Sequence, residues 1–445
     1  MNDKQADIAK VPSSLLKRAS KAASVLVSGS LLSQVVLIAA SPIITRLFTP
    51  SEFAVLNVYT SITALFTAFV ILRLDIALFT VSRSVASSLS VVAAVVAAVL
   101  SLVVGIGFFT VCWVSDISFA TIDLWMMSLL VAVGLFGSSV FAMISSVAVM
   151  HGAYRATASV RITQSIAGIA VQITAGLLHF AAVGLIIGYL VSQSVGITRL
   201  WLITKHQGRN RNRYVLRHSR QFIAKYVFGR FRDFTLFSAP SSIVNRFSGN
   251  MTVVLFAAVY DLKTAGLLAL AYRSANAPLL AIARGTAQVF QKEYAKPGAQ
   301  TRRQVIIAFL AGLSLIGLVP TLVLIFAGPQ LFALVFGATW RESGVYAALL
   351  APAFIVQFIA YPVTQSFSLS DNNRQQLIWD VARSLAILIL FGGLELYQVG
   401  AFPGVIAISV LLTIIYGTQI VMAVRISSRM PAAGAGIPRR IGKRT

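Results

Sequence analysis

The side chains best suited to chemistry in this sequence are arginines that interrupt long apolar runs. Arg246 lies between Asn245 and Asn250 in the run SSIVNRFSGNMTVVLFAAVY, residues 241–260, and Arg273 lies in the next apolar run. A guanidinium stays charged in proteins and offers five N–H donors in a planar fork. This chemistry indicates the binding of an anion.

The elements that carry these arginines are predicted to be transmembrane helices. Of the 445 residues, 57% are hydrophobic and 11% are charged, whereas soluble domains have about 25% charged residues. Apolar runs long enough to cross a bilayer recur from end to end. The sequence therefore predicts an all-α polytopic membrane protein. The predicted helices are twelve, at residues 22–45, 53–76, 87–113, 122–148, 157–178, 181–204, 234–259, 264–289, 303–327, 343–366, 376–397 and 402–424.

The distribution of basic residues predicts the orientation of these helices. With a cytoplasmic N-terminus, the outer connections carry only Arg46, Lys263 and Arg341, and most of the 37 Lys and Arg residues fall at the cytoplasmic side. Such an excess is typical of cytoplasmic segments. Both termini are therefore expected in the cytoplasm. Anionic lipids of the inner leaflet, rather than nucleic acid, are expected to balance the net charge of +24.

The chain is predicted to consist of two six-helix halves in the same orientation. Residues 1–21 form a cytoplasmic N-terminal segment, 22–204 the first half, 205–233 a basic cytoplasmic linker, 234–424 the second half and 425–445 a basic cytoplasmic tail. Two halves in the same orientation are typical of transporters built from parallel repeats. A weak internal match supports this plan, since RLFTPSEFAVLNVYTS aligns with AVYDLKTAGLLALAYRS.

The buried arginines need a counter-charge or water, because a cation at the bilayer centre costs about 2.5–3.5 kcal/mol on insertion scales. The acidic residues lie toward the helix ends and not at the depth of Arg246. Arg246 is therefore interpreted as lining a wet, cationic cavity, with Arg273 about nine residues into its helix from the outer side. The alternative is that Arg246 donates to carbonyl groups of neighbouring helices and serves packing only.

Other polar residues in the apolar runs have local explanations. Ion pairs are expected between Arg73 and Asp75 in LRLD and between Asp380 and Arg383 in DVAR. Arg161 and Arg284 lie near helix ends, where their side chains can reach the interface. Gln357 and Gln365 are expected either to line the substrate path or to form hydrogen bonds with a neighbouring helix. Gly184 and Gly188 in GLIIG fit small-residue helix packing.

Several functional classes are not supported by motifs. The chain has no Walker-type phosphate loop, and its four histidines lack metal-ligand spacing. Cys112 is the single cysteine, so no intrachain disulfide forms. No catalytic residue, metal site or cofactor is predicted, and the chain is not expected to be an enzyme.

Two stretches resemble a known family. Residues 41–79 read SPIITRLFTPSEFAVLNVYTSITALFTAFVILRLDIALF and are similar to the N-terminal signature of bacterial oligosaccharide flippases. These form the polysaccharide-transporter branch of the multidrug/oligosaccharidyl-lipid/polysaccharide (MOP) exporter superfamily. Residues 237–294 are similar to the start of that family's second half. The matching signature positions are Arg46, Thr49, Pro50, Glu52, Phe53, Arg73 and Asp75, and Ala54 stands where the family has glycine.

The resemblance implies a MATE-like, V-shaped bundle with a central cationic cavity. It also implies the movement of undecaprenyl-diphosphate-linked glycan from the cytoplasmic to the periplasmic leaflet of the bacterial inner membrane, for O-antigen, lipopolysaccharide or exopolysaccharide synthesis. A polysaccharide polymerase and chain-length machinery are possible partners. The expected head-group contacts are Arg246, Arg273, Asn245 and Asn250, with Arg46 at the outer mouth. Weaker candidates at the cytoplasmic mouth are Arg73, Asp75, Arg161, Arg284 and Arg383.

Three other functions remain open from the sequence. A multidrug exporter of the same superfamily would favour buried acids for cationic drugs, whereas the deep charges here are basic. A lipid II exporter is close in mechanism, although such proteins often carry more than twelve helices. An integral-membrane polysaccharide polymerase or glycosyltransferase would need a sizeable outer loop, and the predicted outer loops are short.

Overall fold

The computed structural model describes residues 13–78, 83–117, 119, 122–205, 239–294, 299–369 and 373–429. Almost all of the predicted basic linker and most of the predicted cytoplasmic tail lie outside these residues, as does Asp371. Helix is the dominant structure of the described residues, and an isolated β-bridge joins Phe119 and Ile122. The prediction of an all-α chain is confirmed.

The helices before the linker correspond closely to the predicted first half. They are α1 Ser13–Leu47, α2 Pro50–Val70, α3 Leu74–Ala77, α4 Arg83–Val114, α5 Leu124–Met150, α6 Tyr154–Leu177, α7 Ala181–Ser194 and α8 Ile197–Lys205. The helices after the linker are α9 Ala239–Val259, α10 Leu262–Ala271, α11 Ala277–Tyr294, α12 Ala299–Phe336, α13 Arg341–Val363, α14 Gln365–Leu369, α15 Asn373–Leu396 and α16 Ala401–Arg429. A π-helical turn, Tyr272–Asn276, joins α10 to α11, and a short 3-10 turn, Ala338–Trp340, precedes α13.

Ten helices within the described residues are long and apolar enough to cross a membrane. This number identifies a multi-pass membrane protein. The other two predicted spans are present as helices, α6 and α9, but neither is among these ten. In α9 the segment Gly249–Val259 is a shorter apolar helix.

The chain divides into two compact units. The first unit contains Met1–Leu47 and Ile62–Ile243, and the second contains Phe48–Ser61 and Val244–Thr445. The first part of α2 therefore belongs to the second unit, although it precedes the linker by about 150 residues in the printed sequence. This assignment places the turn TPSEF of the family signature with α10 and α13 rather than with α1.

Small residues bring helices close together in the first unit, as the GLIIG motif predicted. A Cβ on Gly184 would lie 2.6 Å from the Cβ of Ala175, and one on Gly188 would lie 2.8 Å from the carbonyl oxygen of Gly168. Gln172, near these glycines, donates from Nε2 to the carbonyl of Leu185 at 3.1 Å. The packing of α6 on α7 thus depends on small side chains together with an interhelical hydrogen bond.

The second unit packs around α13, which contacts α10, α11, α12 and α16. Its buried face repeats every fourth residue, with Tyr346, Leu350, Phe354 and Phe358 all at most 3% exposed. Residues with this spacing share one side of a helix. This side of α13 is therefore the apolar core that supports the elements beside it.

Several predicted helices differ from the structure in length or continuity. The helix predicted at 303–327 begins at Ala299 and continues to Phe336, with Pro320 and Pro329 inside it. Proline is tolerated there because transmembrane helices can satisfy freed backbone groups through neighbours. The helix predicted at 181–204 is broken at Gly196, which has φ +85° and leaves no room for a Cβ beside Val160. The helix predicted at 264–289 is interrupted by the π-helical turn.

Candidate functional site

The start of α2 is a reciprocal cap that fixes the direction of the helix. The backbone N–H of Thr49 donates to the Glu52 carboxylate at 2.7 Å, and the N–H of Glu52 donates to the Thr49 hydroxyl at 3.4 Å. This arrangement is a capping box, with Pro50 at the first helical position, where its missing N–H costs nothing. The TPSE part of the family signature therefore has a structural explanation.

The beginning of α10 meets this cap directly. Asp261 caps α10 by accepting a hydrogen bond from the N–H of Thr264 at 2.6 Å. One turn later, a Cβ on Gly266 would overlap the carbonyl of Pro50. Only glycine permits this approach of two backbones. The contact brings together the two segments that the internal sequence match aligned.

The aromatic ring of Phe53 connects three elements of the second unit. Phe53 is 3% exposed. The ring of Trp340 meets it edge-on, with centroids 5.0 Å apart and an angle of 74°. The guanidinium carbon of Arg273 lies 5.9 Å from the centroid of the same ring. A cation within about 6 Å of a ring centroid is attracted by the negative face of the ring.

Arg273 occupies an unusual backbone position, the π-helical turn Tyr272–Asn276. It is half-buried, and it lies about 16 Å along the span that begins at Leu262, at 1.5 Å per residue. Asn276, in the same turn, is 5% exposed, and its Oδ1 has no hydrogen-bond partner among the described residues. Single π-helical turns occur frequently at functional sites. This turn is therefore the strongest structural feature around any predicted site residue.

Arg246 is half-buried in α9, where its carbonyl accepts a hydrogen bond from Nδ2 of Asn250 at 2.9 Å. The side-chain nitrogen of Asn250 is therefore hydrogen-bonded within its own helix. Arg246 and Arg273 each have a further interaction within the protein. The side chain of Asn245 lies outside the described residues.

The predicted site residues are distributed over both units. Arg46, Arg73, Asp75 and Arg161 belong to the first unit, and the others belong to the second. Arg46, Arg161 and Arg284 are exposed. Arg46 lies in the last turn of α1, where a cation is favoured by the helix dipole.

The predicted ion pair between Arg73 and Asp75 does not form. The Nε of Arg73 and Oδ1 of Asp75 are both buried, and neither has a hydrogen-bond partner among the described residues. Residues two apart do not face each other on a helix. In addition, α2 ends just before them in a turn where Leu72 has φ 51° and Arg73 has φ 56°. Left-handed backbone at consecutive non-glycine residues is strained.

The predicted pair between Asp380 and Arg383 is confirmed, at 3.2 Å between Oδ1 and Nη2. Both side chains are at most 10% exposed, so the charges neutralise each other inside the second unit.

Gln357 and Gln365 each form a hydrogen bond with a residue of a neighbouring helix, which was one of the two interpretations of these residues. Gln357 donates to the Tyr416 hydroxyl at 2.8 Å, and Gln291 donates to Gln365 at 3.0 Å.

Comparison with known proteins decides the family. The family described as "Polysaccharide biosynthesis protein" matches residues 43–345, which is more than half of the chain. The chain belongs to this polysaccharide biosynthesis protein family. No curated protein matches it.

Solved structures place this family member in a transporter fold. One similar structure is the inward-facing conformation of a multidrug resistance MATE family transporter of the MOP superfamily, with 16% identity, a TM-score of 0.53 and coverage of 91% of this chain and 94% of that one. Another is a MATE transporter in complex with MaD3S, with 16% identity, a TM-score of 0.50 and coverage of 92% and 96%. The polysaccharide biosynthesis protein therefore has a MATE-like fold.

Sequence reasoning missed part of the site in this polysaccharide biosynthesis protein. The signature included Phe53, but nothing in its spacing to Arg273, some 220 residues later in the printed sequence, indicated their contact. The π-helical turn and the role of Trp340 were also not predicted. The polar residues of YRSAN inside an apolar run could have indicated the π-helical turn, because this segment forms the turn in the structure.

Proposed function

We propose that this protein moves undecaprenyl-diphosphate-linked glycan repeat units from the cytoplasmic to the periplasmic leaflet of the bacterial inner membrane. The observation that carries the proposal is Arg273, a permanent cation held at a π-helical turn inside a membrane span of a MATE-like fold. The membership of the polysaccharide biosynthesis protein family supports glycan as the cargo.

The chemistry of the head group fits these arginines. A diphosphate offers several oxygen acceptors and negative charge, and arginine donates two parallel hydrogen bonds to such groups. A cation in a membrane span is costly, and binding an anion offsets part of that cost. In this proposal Arg246 and Arg273 contact the diphosphate, Asn245 and Asn250 contribute polar contacts, and Arg46 acts at the outer mouth. The residues that contact the substrate where it enters are Arg73, Asp75, Arg161, Arg284 and Arg383.

The charges of the second unit do not favour export of cationic drugs. Such cargo requires an acidic side chain that is available to the drug. Asp380 is a buried carboxylate of the described second unit, and Arg383 already neutralises it. The similarity to multidrug transporters, at 16% identity, therefore concerns the fold and not the cargo.

A transport assay with purified protein tests the proposal. The protein is reconstituted in lipid vesicles with a fluorescent undecaprenyl-diphosphate-linked sugar, and an impermeant quencher reports how much of the lipid changes leaflet. We expect movement of this lipid and none of a fluorescent phosphatidylethanolamine. Arg273→Ala should abolish movement, while Arg303→Ala, at an exposed position of α12, should not. Equal movement of both lipids, or none above empty vesicles, would refute the proposal.

A further inference from the structure

The contact between Arg273 and the ring of Phe53 gives the family signature a function that its sequence does not reveal. The guanidinium carbon lies 5.9 Å from the ring centroid, and the Trp340 ring packs on the same ring in a T-shaped arrangement. Phe53 and Trp340 are 3% and 0% exposed. The ring is therefore a buried and packed surface beside which the guanidinium lies.

We infer that Phe53 is a positioning residue for Arg273, and that it sets the guanidinium in place to receive the diphosphate of the substrate. This inference rests on the proposed function, because it assigns Arg273 to the head group. It adds a residue that does not itself contact phosphate, and it explains why an aromatic side chain follows the TPSE cap.

The fold delivers Phe53 to this position by two backbone devices. The capping box of Thr49 and Glu52 fixes where α2 begins, three residues before Phe53. The approach of the Pro50 carbonyl to Gly266 fixes how close α2 lies to α10, and the helical segment that continues from α10 carries Arg273. A change in either device would move the ring relative to the guanidinium.

An aromatic ring holds a cation differently from a carboxylate. A carboxylate accepts the N–H groups and cancels the charge, as Asp380 does for Arg383 in the same unit. A ring attracts the guanidinium through its π face and accepts none of its N–H donors in the ordinary sense. The contact with the Phe53 ring therefore does not itself occupy an N–H donor of Arg273. The ring of Phe53 can therefore hold Arg273 in place without taking the N–H groups that a carboxylate takes from Arg383.

Binding measurements with matched variants test this inference. The protein is placed in nanodiscs of phosphatidylethanolamine and phosphatidylglycerol and titrated with undecaprenyl diphosphate; inorganic pyrophosphate is a second probe that lacks the lipid. The variants are Phe53→Leu, Phe53→Tyr, Arg273→Ala and the double variant Phe53→Leu/Arg273→Ala. Phe391→Leu is the control, since Phe391 is also 3% exposed and packs on Phe256.

The expected pattern is specific to positioning. Arg273→Ala should weaken binding about 10- to 100-fold, and Phe53→Leu about 3- to 30-fold, the range of a cation–π contact. Phe53→Tyr keeps the ring and should bind like wild type, as should Phe391→Leu. In the Arg273→Ala background, Phe53→Leu should cause no further loss, because its effect acts through Arg273.

Four outcomes of these measurements bear on the inference and on the proposed function. If wild type binds undecaprenyl diphosphate but Phe53→Leu binds equally well, only the positioning role is overturned. The positioning role is also overturned if Phe53→Leu weakens binding by the same factor in the Arg273→Ala background. If wild type binds neither probe, the proposed function fails and the inference fails with it. Binding of pyrophosphate as well as the lipid, with the same variant pattern, supports positioning and identifies the diphosphate as the recognised group.

Discussion

The carbonyl group of Pro50 lies where a side chain on Gly266 would have to be. The two residues are far apart in sequence, yet each lies at the start of a capped helix, α2 and α10. The internal match in the sequence aligned the segments that contain them. The contact therefore joins corresponding segments of the predicted repeat inside the second unit, close to the Phe53 ring.

Gly266→Ala should destabilise the protein, because the added methyl group would force α2 and α10 apart. Overpacking typically costs about 1–3 kcal/mol, and more where the clash is with backbone. Thermal unfolding of the detergent-solubilised protein measures the effect. Gly392→Ala is the control, since nothing lies within 4 Å of its Cβ position, and it should be neutral or stabilising. Equal unfolding temperatures for the two variants would contradict the close approach.

Glu52→Ala should weaken the start of α2, because it removes the acceptor of the Thr49 N–H. The loss of a capping interaction costs about 1 kcal/mol. Glu52→Gln keeps a capping acceptor and should retain most of the stability. The comparison is made by thermal unfolding. If the Gln variant were as unstable as the Ala variant, the carboxylate charge and not the capping geometry would be responsible.

Asp380→Ala should be strongly destabilising, because it leaves Arg383 without the carboxylate that neutralises it inside the second unit. Removing one partner of a buried pair costs about 3–5 kcal/mol. The double variant Asp380→Leu/Arg383→Met should recover most of this loss, since an apolar pair of similar volume needs no counter-charge. Unfolding temperatures and the vesicle assay are measured on all three proteins. A double variant that is stable but does not transport would show that Arg383, besides pairing with Asp380, also contacts the substrate.

The sequence predicts those features of the site that depend on local spacing. Asp380 and Arg383 are three residues apart on a helix, and their pair follows from that periodicity. The pair predicted between Arg73 and Asp75 had no such support, since residues two apart do not face each other on a helix and the chain makes a left-handed turn there. The twelve helices were read from apolar length, which locates spans well but does not reveal a helix that continues through Pro329.

The contact between Phe53 and Arg273 could not be predicted, because it depends on the tertiary fold. The predicted halves would place Phe53 with the first six helices, whereas the structure groups residues 48–61 with the second unit. The π-helical turn around Arg273 inserts one residue into a regular helix, and no residue type requires it. Both features arise from packing around α13 and α10, which no local pattern of the sequence records.

The left-handed turn at the end of α2 provides a test of strain at a signature residue. Arg73 has φ 56°, and its Nε is buried without a partner among the described residues. Arg73→Gly and Arg73→Ala both remove the guanidinium, but only glycine adopts this conformation freely. The Gly variant should therefore be more stable than the Ala variant by about 1 kcal/mol, measured by thermal unfolding.

The same pair of variants separates strain from substrate contact at Arg73. If Arg73 contacts the substrate, both variants should lose transport in the vesicle assay, including the one whose turn is relaxed. Strain of this kind persists where function requires it, so a stable and inactive Gly variant is the expected result. A Gly variant that is both more stable and fully active would mean that the arginine has no role in transport. A Gly variant no more stable than the Ala variant would contradict the strained turn itself.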